Sequence, residues 1–213
     1  MSAVQDAVRN GARFSPLSAS LSGAAGPARW WAILCGMLAR VRNWLGLSAF
    51  SGGLHERAIS HYRRGVELFD RGRFKQAERE FTAALELATA STGLFQHRGA
   101  AFAEQGKHLE AIADYDTAIR LRPDYPDAYV DRGNSNHALG RSENALKDYS
   151  EAIRLRPDYG EAFANRAALH AEMGDSQAST EDAARARALG IDSTALKDLL
   201  SAAAERAGQG GEP

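Results

Sequence analysis

The sequence predicts an all-α protein, a solenoid of stacked antiparallel helix pairs, on three observations. The octapeptide "AIRLRPDY" occurs twice, ending at Tyr125 and again at Tyr159. Glycines recur with the same step at Gly72, Gly106, Gly140 and Gly174, each after a helix-like run and before a polar residue. Ala77, Ala111 and Ala145 are each followed four positions later by Phe81, Tyr115 and Tyr149, and three later again by Ala84, Ala118 and Ala152. Those spacings lie on one helical face. A repeat of this length cannot bury its apolar face alone, so its copies must stack and present the same interface each time.

Composition sets the limits. A formal net charge of -1 over 213 residues gives no general attraction to nucleic acid. The charge is uneven, because residues 1–50 hold five arginines against Asp6, a net of +4, which leaves -5 for the remainder. Cys35 is the only cysteine, which excludes an internal disulfide and fits a reducing compartment.

Residues 1–28, rich in Ser, Ala and Gly, read as a disordered or leader segment. In "RWWAILCGMLARVRNWLGL", residues 29–47, the side chains of Trp30, Trp31, Leu34, Met37, Val41 and Trp44 fall on one face of a helix, with Arg29, Arg40 and Arg42 opposite. The apolar run is shorter than the roughly 20 residues that span a bilayer. Three uses fit this amphipathic helix: lying in a membrane interface, docking on the repeats, or serving as a cleaved export signal. Residues 48–57, "SAFSGGL" and its flank, read as a flexible hinge.

The helix pairs follow over 58–193, as units 58–91, 92–125, 126–159 and 160–193. The periodic glycines from Gly72 to Gly174 end the first helix of each pair in a left-handed turn. A second series, Gly65, Gly99 and Gly133 with Ala167 in the fourth slot, falls inside the first helices and implies close helix contact. On the second helices the small, large, small face lets a neighbour approach at the alanines while the ring fills the gap. Pro123 and Pro157 interrupt the chain after them. Arg120, Arg122, Arg154 and Arg156 sit before the prolines and suit the negative end of the helix dipole. Leu196, Leu199, Leu200 and Ala203 then mark a one-sided capping helix over 194–206, and 207–213 reads as a disordered tail.

Set in register, the slots Phe95, Gly99, Phe102, Ala111, Tyr115, Pro123 and Tyr129, Gly133, Ala145, Tyr149, Pro157 resemble the tetratricopeptide repeat family. The family's leucine slot departs, holding Arg64, Arg98, Arg132 and Arg166. The outer units depart further, with Thr89 for the proline in the first and Ser179 and Ala183 for alanine and aromatic in the fourth, as terminal repeats often do. The resemblance implies a right-handed solenoid whose first helices line a concave groove for a peptide segment of a partner protein. Carried over, the groove positions are Tyr62, Arg63, Val66 and Phe69, then Gln96, His97 and Glu104, then Asp127, Val130, Asp131 and Asn134, then Glu161, Asn165 and Glu172. The far end is acidic, so the expected partner segment is basic there, with Asn134 and Asn165 holding its backbone. The family's basic clamp for a C-terminal carboxylate is not expected, because Val130 occupies a slot where that clamp needs lysine.

Catalytic chemistry is not expected. In "HERAISH" the histidines His55 and His61 are six positions apart, about 600° of helical rotation, so they cannot share a zinc ion. Asp114 and Asp116 diverge by about 200° and cannot act on one atom. No phosphate-binding glycine loop is present, and Cys35 lacks a motif for a nucleophile. The sequence therefore reads as a non-catalytic interaction module without cofactor or metal, cytoplasmic, with peripheral membrane attachment through residues 29–47 as one reading. The alternative is a membrane-associated assembly factor that acts mainly through that N-terminal helix.

Overall fold

The computed structural model describes residues 47–87 and 91–209, with side chains from Gly53 to Gly208. Its elements are helices: α1 (Leu47–Asp70), α2 (Phe74–Leu87), α3 (Thr92–Ala103), α4 (His108–Leu121), α5 (Pro126–Ala138), α6 (Ser142–Leu155), α7 (Gly160–Glu172), α8 (Ser176–Ala188) and α9 (Ser193–Gln209). No strand occurs among the described residues. Sequential helices pack in pairs, and α3, α5 and α7 also touch in succession, so the first helices of the pairs form one continuous layer. The described residues from α1 onward form a helical solenoid closed by α9, which packs on α7.

The turns follow from glycine. Gly72, Gly106, Gly140 and Gly174 have φ between 70° and 80°, and Gly190 before α9 has φ 92°. At Gly140 the amide reaches the His137 carbonyl at 2.8 Å and the next amide, Arg141, reaches Asn136 at 2.9 Å. This double closure satisfies helix-end carbonyls and demands the left-handed conformation that glycine adopts without a Cβ clash. The same two bonds recur at the other four turns.

The mid-helix glycines have a different cause. A Cβ on Gly65 would lie 2.5 Å from the Phe81 ring, on Gly99 2.8 Å from Tyr115, and on Gly133 2.7 Å from Tyr149. Each ring occupies the space a side chain would need, and Ala77, Ala111, Ala145, Ala84, Ala118 and Ala152 are fully buried on either side. In the fourth pair the aromatic is Ala183 and the glycine has become Ala167, both buried. Ring and Cβ are alternatives for one volume.

The arginine series at the leucine slot makes salt bridges. Arg98 grips Asp114 through two bonds of 2.7 and 2.8 Å, and Arg166 grips Asp182 in the same way. Arg132 binds Asp148, with its shortest contact at 2.6 Å. Arg64 meets Glu80 more loosely, at 3.4 Å. Glu80, Asp114, Asp148 and Asp182 keep the step of the repeat, each 16 residues after its arginine, a legible series that the family pattern passes over. The arginines also reach back 16 residues into the preceding pair, Arg98 to Thr82, Arg132 to Asp116 and Arg166 to Ser150. Asp114 and Asp116, unsuited to catalysis together, are partners of two different arginines.

Two boundaries differ from expectation. The stretch expected as a hinge, 48–57, lies within α1, where Ala58 is buried and mid-helix glycine costs only about 1 kcal/mol per residue. The capping helix is longer than expected and runs to Gln209, continued by the strong helix formers of "AAAERA" and opened by Asp192, whose carboxylate accepts from the Thr194 and Ala195 amides. Arg122 and Arg156 fall at the C-caps, just beyond the last turns, and lie over the rings of Tyr125 and Tyr159 at 4.1 and 4.4 Å.

Gly133→Ala should lower stability by about 1–2 kcal/mol, overpacking outweighing the gain in helix propensity. In a Tyr149→Ala background the same change should be neutral or stabilising, which a denaturant double-mutant cycle reads directly. Arg132→Ala leaves the buried Asp148 with the Asn136 amide but no cation and should cost about 3 kcal/mol, whereas Arg132→Leu with Asp148→Ala should cost less by the same assay.

Candidate functional site

The layer formed by α1, α3, α5 and α7 carries the residues expected in the groove, and their contacts sort them. At the α1 end Tyr62 meets His97 of α3 edge-on at 5.3 Å and Phe81 at 6.0 Å. Phe69 turns to the α1–α2 junction, edge-on to Phe74 at 5.2 Å, and Val66 packs partly buried against the same cluster. Arg63 is exposed. Val130 is a correction: at 4 % exposure it packs with Ala145, Tyr149 and Leu169 in the core and offers no contact surface.

Polar groove residues lace neighbouring first helices together. The Gln96 amide donates to Asp131 at 2.8 Å and its carbonyl oxygen accepts from Tyr125. Asn134 Oδ1 accepts from the Tyr149 hydroxyl at 2.8 Å and from Asn165 at 3.0 Å. Asn134 Nδ2 and Asn165 Oδ1 have no side-chain partner among the described residues. One donor and one acceptor thus stand side by side on two helices. These contacts fix rotamers before any ligand arrives.

The acids divide into two groups. Asp127 is gripped by Arg156 at 2.9 and 3.1 Å and accepts from Tyr159 at 2.8 Å. Burial raises its pKa, but these bonds outweigh burial and hold the carboxyl below its usual range. Glu172 lies 2.6 Å from His137 Nε2 and 2.9 Å from Arg206 of α9. Their charges are spent within the chain, which corrects the expectation that the whole acidic end faces a ligand. Glu104, Asp131 and Glu161 have no cationic partner among the described residues. Burial pushes the Asp131 carboxyl up to about 6 against the Gln96 hydrogen bond, with Asp127 and Glu161 adding repulsion.

Among the described residues no cluster of three or more His, Cys, Asp or Glu could hold a metal ion, and no helix is long and apolar enough to cross a membrane. The docking set Trp30, Trp31, Leu34, Met37, Val41 and Trp44 lies outside the described residues.

The TPR repeat family matches at residues 99–140 and 133–174. No curated protein matches the chain. Among solved structures, the second TPR domain of human RPAP3, in complex with the HSP70 peptide SGPTIEEVD, is 28% identical over 55% of this chain and 97% of that one, with TM-score 0.52. The first TPR of Spaghetti (RPAP3), bound to the HSP90 peptide SRMEEVD, is 25% identical over 56% and 95%, with TM-score 0.54. TTC0263, a thermophilic TPR protein in Thermus thermophilus, shares the fold at 22% identity over 68% and 80%, with TM-score 0.61.

A carboxyl raised from 3.8 to about 6 by folding favours the native state fully below about pH 4, and that contribution is lost as pH rises through 6. Asp131→Asn, which keeps an acceptor for Gln96, should therefore leave stability unchanged near pH 4 and raise it by about 2–3 kcal/mol at pH 8. Parallel denaturation curves of parent and variant across that range check this.

Proposed function

Because this chain is a tetratricopeptide repeat protein, we propose that it is a non-catalytic adaptor whose inner helix layer binds an extended peptide segment of a partner protein, basic where it meets α5 and α7. The observation that carries this reading is the set of three carboxylates, Glu104, Asp131 and Glu161, with no counter-charge among the described residues, beside the Asn134–Asn165 amide pair. A donor and an acceptor on neighbouring helices match the carbonyl and amide of one peptide backbone. The carboxylates supply the charge preference and raise the encounter rate with a cationic segment.

The peptides bound by the two RPAP3 domains end in EEVD. Such acidic ends would meet like charge here, and Val130 lies in the core where the carboxylate clamp would need a lysine. The shared fold with carboxylates where an acidic peptide would lie supports an adaptor for a different ligand class.

Selection of a randomised heptapeptide display library on the full chain should enrich sequences with lysine or arginine. A selected peptide should bind at least tenfold more weakly to the Glu104→Gln, Asp131→Asn, Glu161→Gln variant, and more weakly as salt is raised. Enrichment without basic residues, or affinity unchanged by the triple substitution, would overturn the charge assignment. A library that yields no binder at all would count against the groove.

A further inference from the structure

Between the end of α3, the start of α4 and the middle of α5 lies a pocket of about 310 Å³, whose polar lining is Glu104, His108, Tyr115, Asp131, Asn134 and Ser135. Two of its lining residues carry a buried orphan atom just behind the surface. Ser135 is 1 % exposed, and among the described residues neither its Oγ nor the buried Nδ1 of His108 has a hydrogen-bond partner. Buried polar groups in folded proteins are nearly always satisfied, so an orphan pair lining one pocket calls for a ligand.

The repeat register shows that packing does not require the hydroxyl. The equivalent slots one repeat before and one repeat after Ser135 hold Ala101 and Leu169, both fully buried and apolar. Tyr115 departs from its sister in the same way. Tyr149 donates to Asn134, but one unit earlier Ala100 fills the asparagine slot, and the Tyr115 hydroxyl makes no side-chain hydrogen bond among the described residues. The array has given up an apolar contact at one position and a hydrogen bond at another, both at this pocket.

The lining chemistry selects the ligand. Gln96 engages only Oδ2 of Asp131, leaving its other oxygen as an acceptor beside the Glu104 carboxylate, and a turn of the Ser135 and His108 side chains toward the pocket would add Ser135 Oγ and, in the tautomer protonated at Nε2, His108 Nδ1. Neither lysine nor arginine lines the pocket. An ammonium group carries three donors and no acceptor, and matches three separate acceptors of different kinds. A planar guanidinium is better served by a paired carboxylate face. The volume is at the low end for small-molecule sites, about 300 Å³ upward, and suits one side chain.

We infer that this pocket receives the primary ammonium of a lysine in the segment bound along the groove; this assignment rests on the groove reading above. A free alkylamine would offer the same head group without the backbone that Asn134 and Asn165 can hold.

The test is a ¹⁵N-amide titration of the full chain with N-acetyl-lysine methylamide, its norleucine counterpart and n-butylammonium. The lysine compound should give saturable shifts confined to Glu104, His108 and Asp131–Ser135, the norleucine compound none, and n-butylammonium weaker binding at the same amides. Asp131→Asn should weaken the lysine compound at least tenfold. Ser135→Ala should weaken it several-fold while leaving Tm unchanged or raised, since that change removes an orphan hydroxyl. Shifts scattered over the acidic surface, or affinity unaffected by both variants, would overturn the pocket; n-butylammonium binding as tightly as the lysine compound would overturn the peptide source. Localised lysine binding with no library peptide recovered would sink the groove and spare the ammonium site. Recovered peptides without lysine and no localised shifts would do the reverse.

Discussion

One volume, held by an aromatic ring in place of a Cβ, sets the distance between the two helices of a pair. Phe81, Tyr115 and Tyr149 lie against Gly65, Gly99 and Gly133, and the alanines beside each ring admit the next helix. Steric exclusion over a few tenths of an ångström is steep, so this contact fixes spacing more firmly than a diffuse apolar face could. Other features are positioned by it. Arg98, Arg132 and Arg166 each directly precede the glycine or its alanine replacement, which brings their guanidinium groups to the carboxylates of the second helices.

The fold is legible because its causes repeat. A glycine that must turn left-handed and a glycine that must make room for a ring each leave a mark once per repeat. The Arg–Asp pairs are legible in principle too, since their acids keep the same step, but a family template that expects leucine there directs attention away from a charged partner. The site is less legible. Register alone puts Val130 in the groove, because periodicity gives the face of a helix and not the depth at which its neighbours bury it. Register also counts Asp127 and Glu172 as free acids, since their partners Arg156 and Arg206 stand about a whole repeat further along the chain. Pairing across such distances depends on rotamers, which no spacing rule supplies.

Specificity in such an array comes from departures rather than from the repeat. Ser135 in an apolar slot, Ala100 in an asparagine slot and Ala183 in an aromatic slot each break a periodic rule at one place. The first two meet at the same pocket, whereas the third lies at the end of the array and is balanced by Ala167. A break matched by its neighbour concerns packing; an unmatched one is a mark of function.

The backward reach of the arginines makes the joints between pairs unequal. Arg132 meets a carboxylate, Asp116, at 2.6 Å, while Arg98 and Arg166 meet only the hydroxyls of Thr82 and Ser150, at 3.4 and 3.0 Å. Of these three backward clasps only the central one is charged on both sides, so it is the one of the three that added salt would weaken.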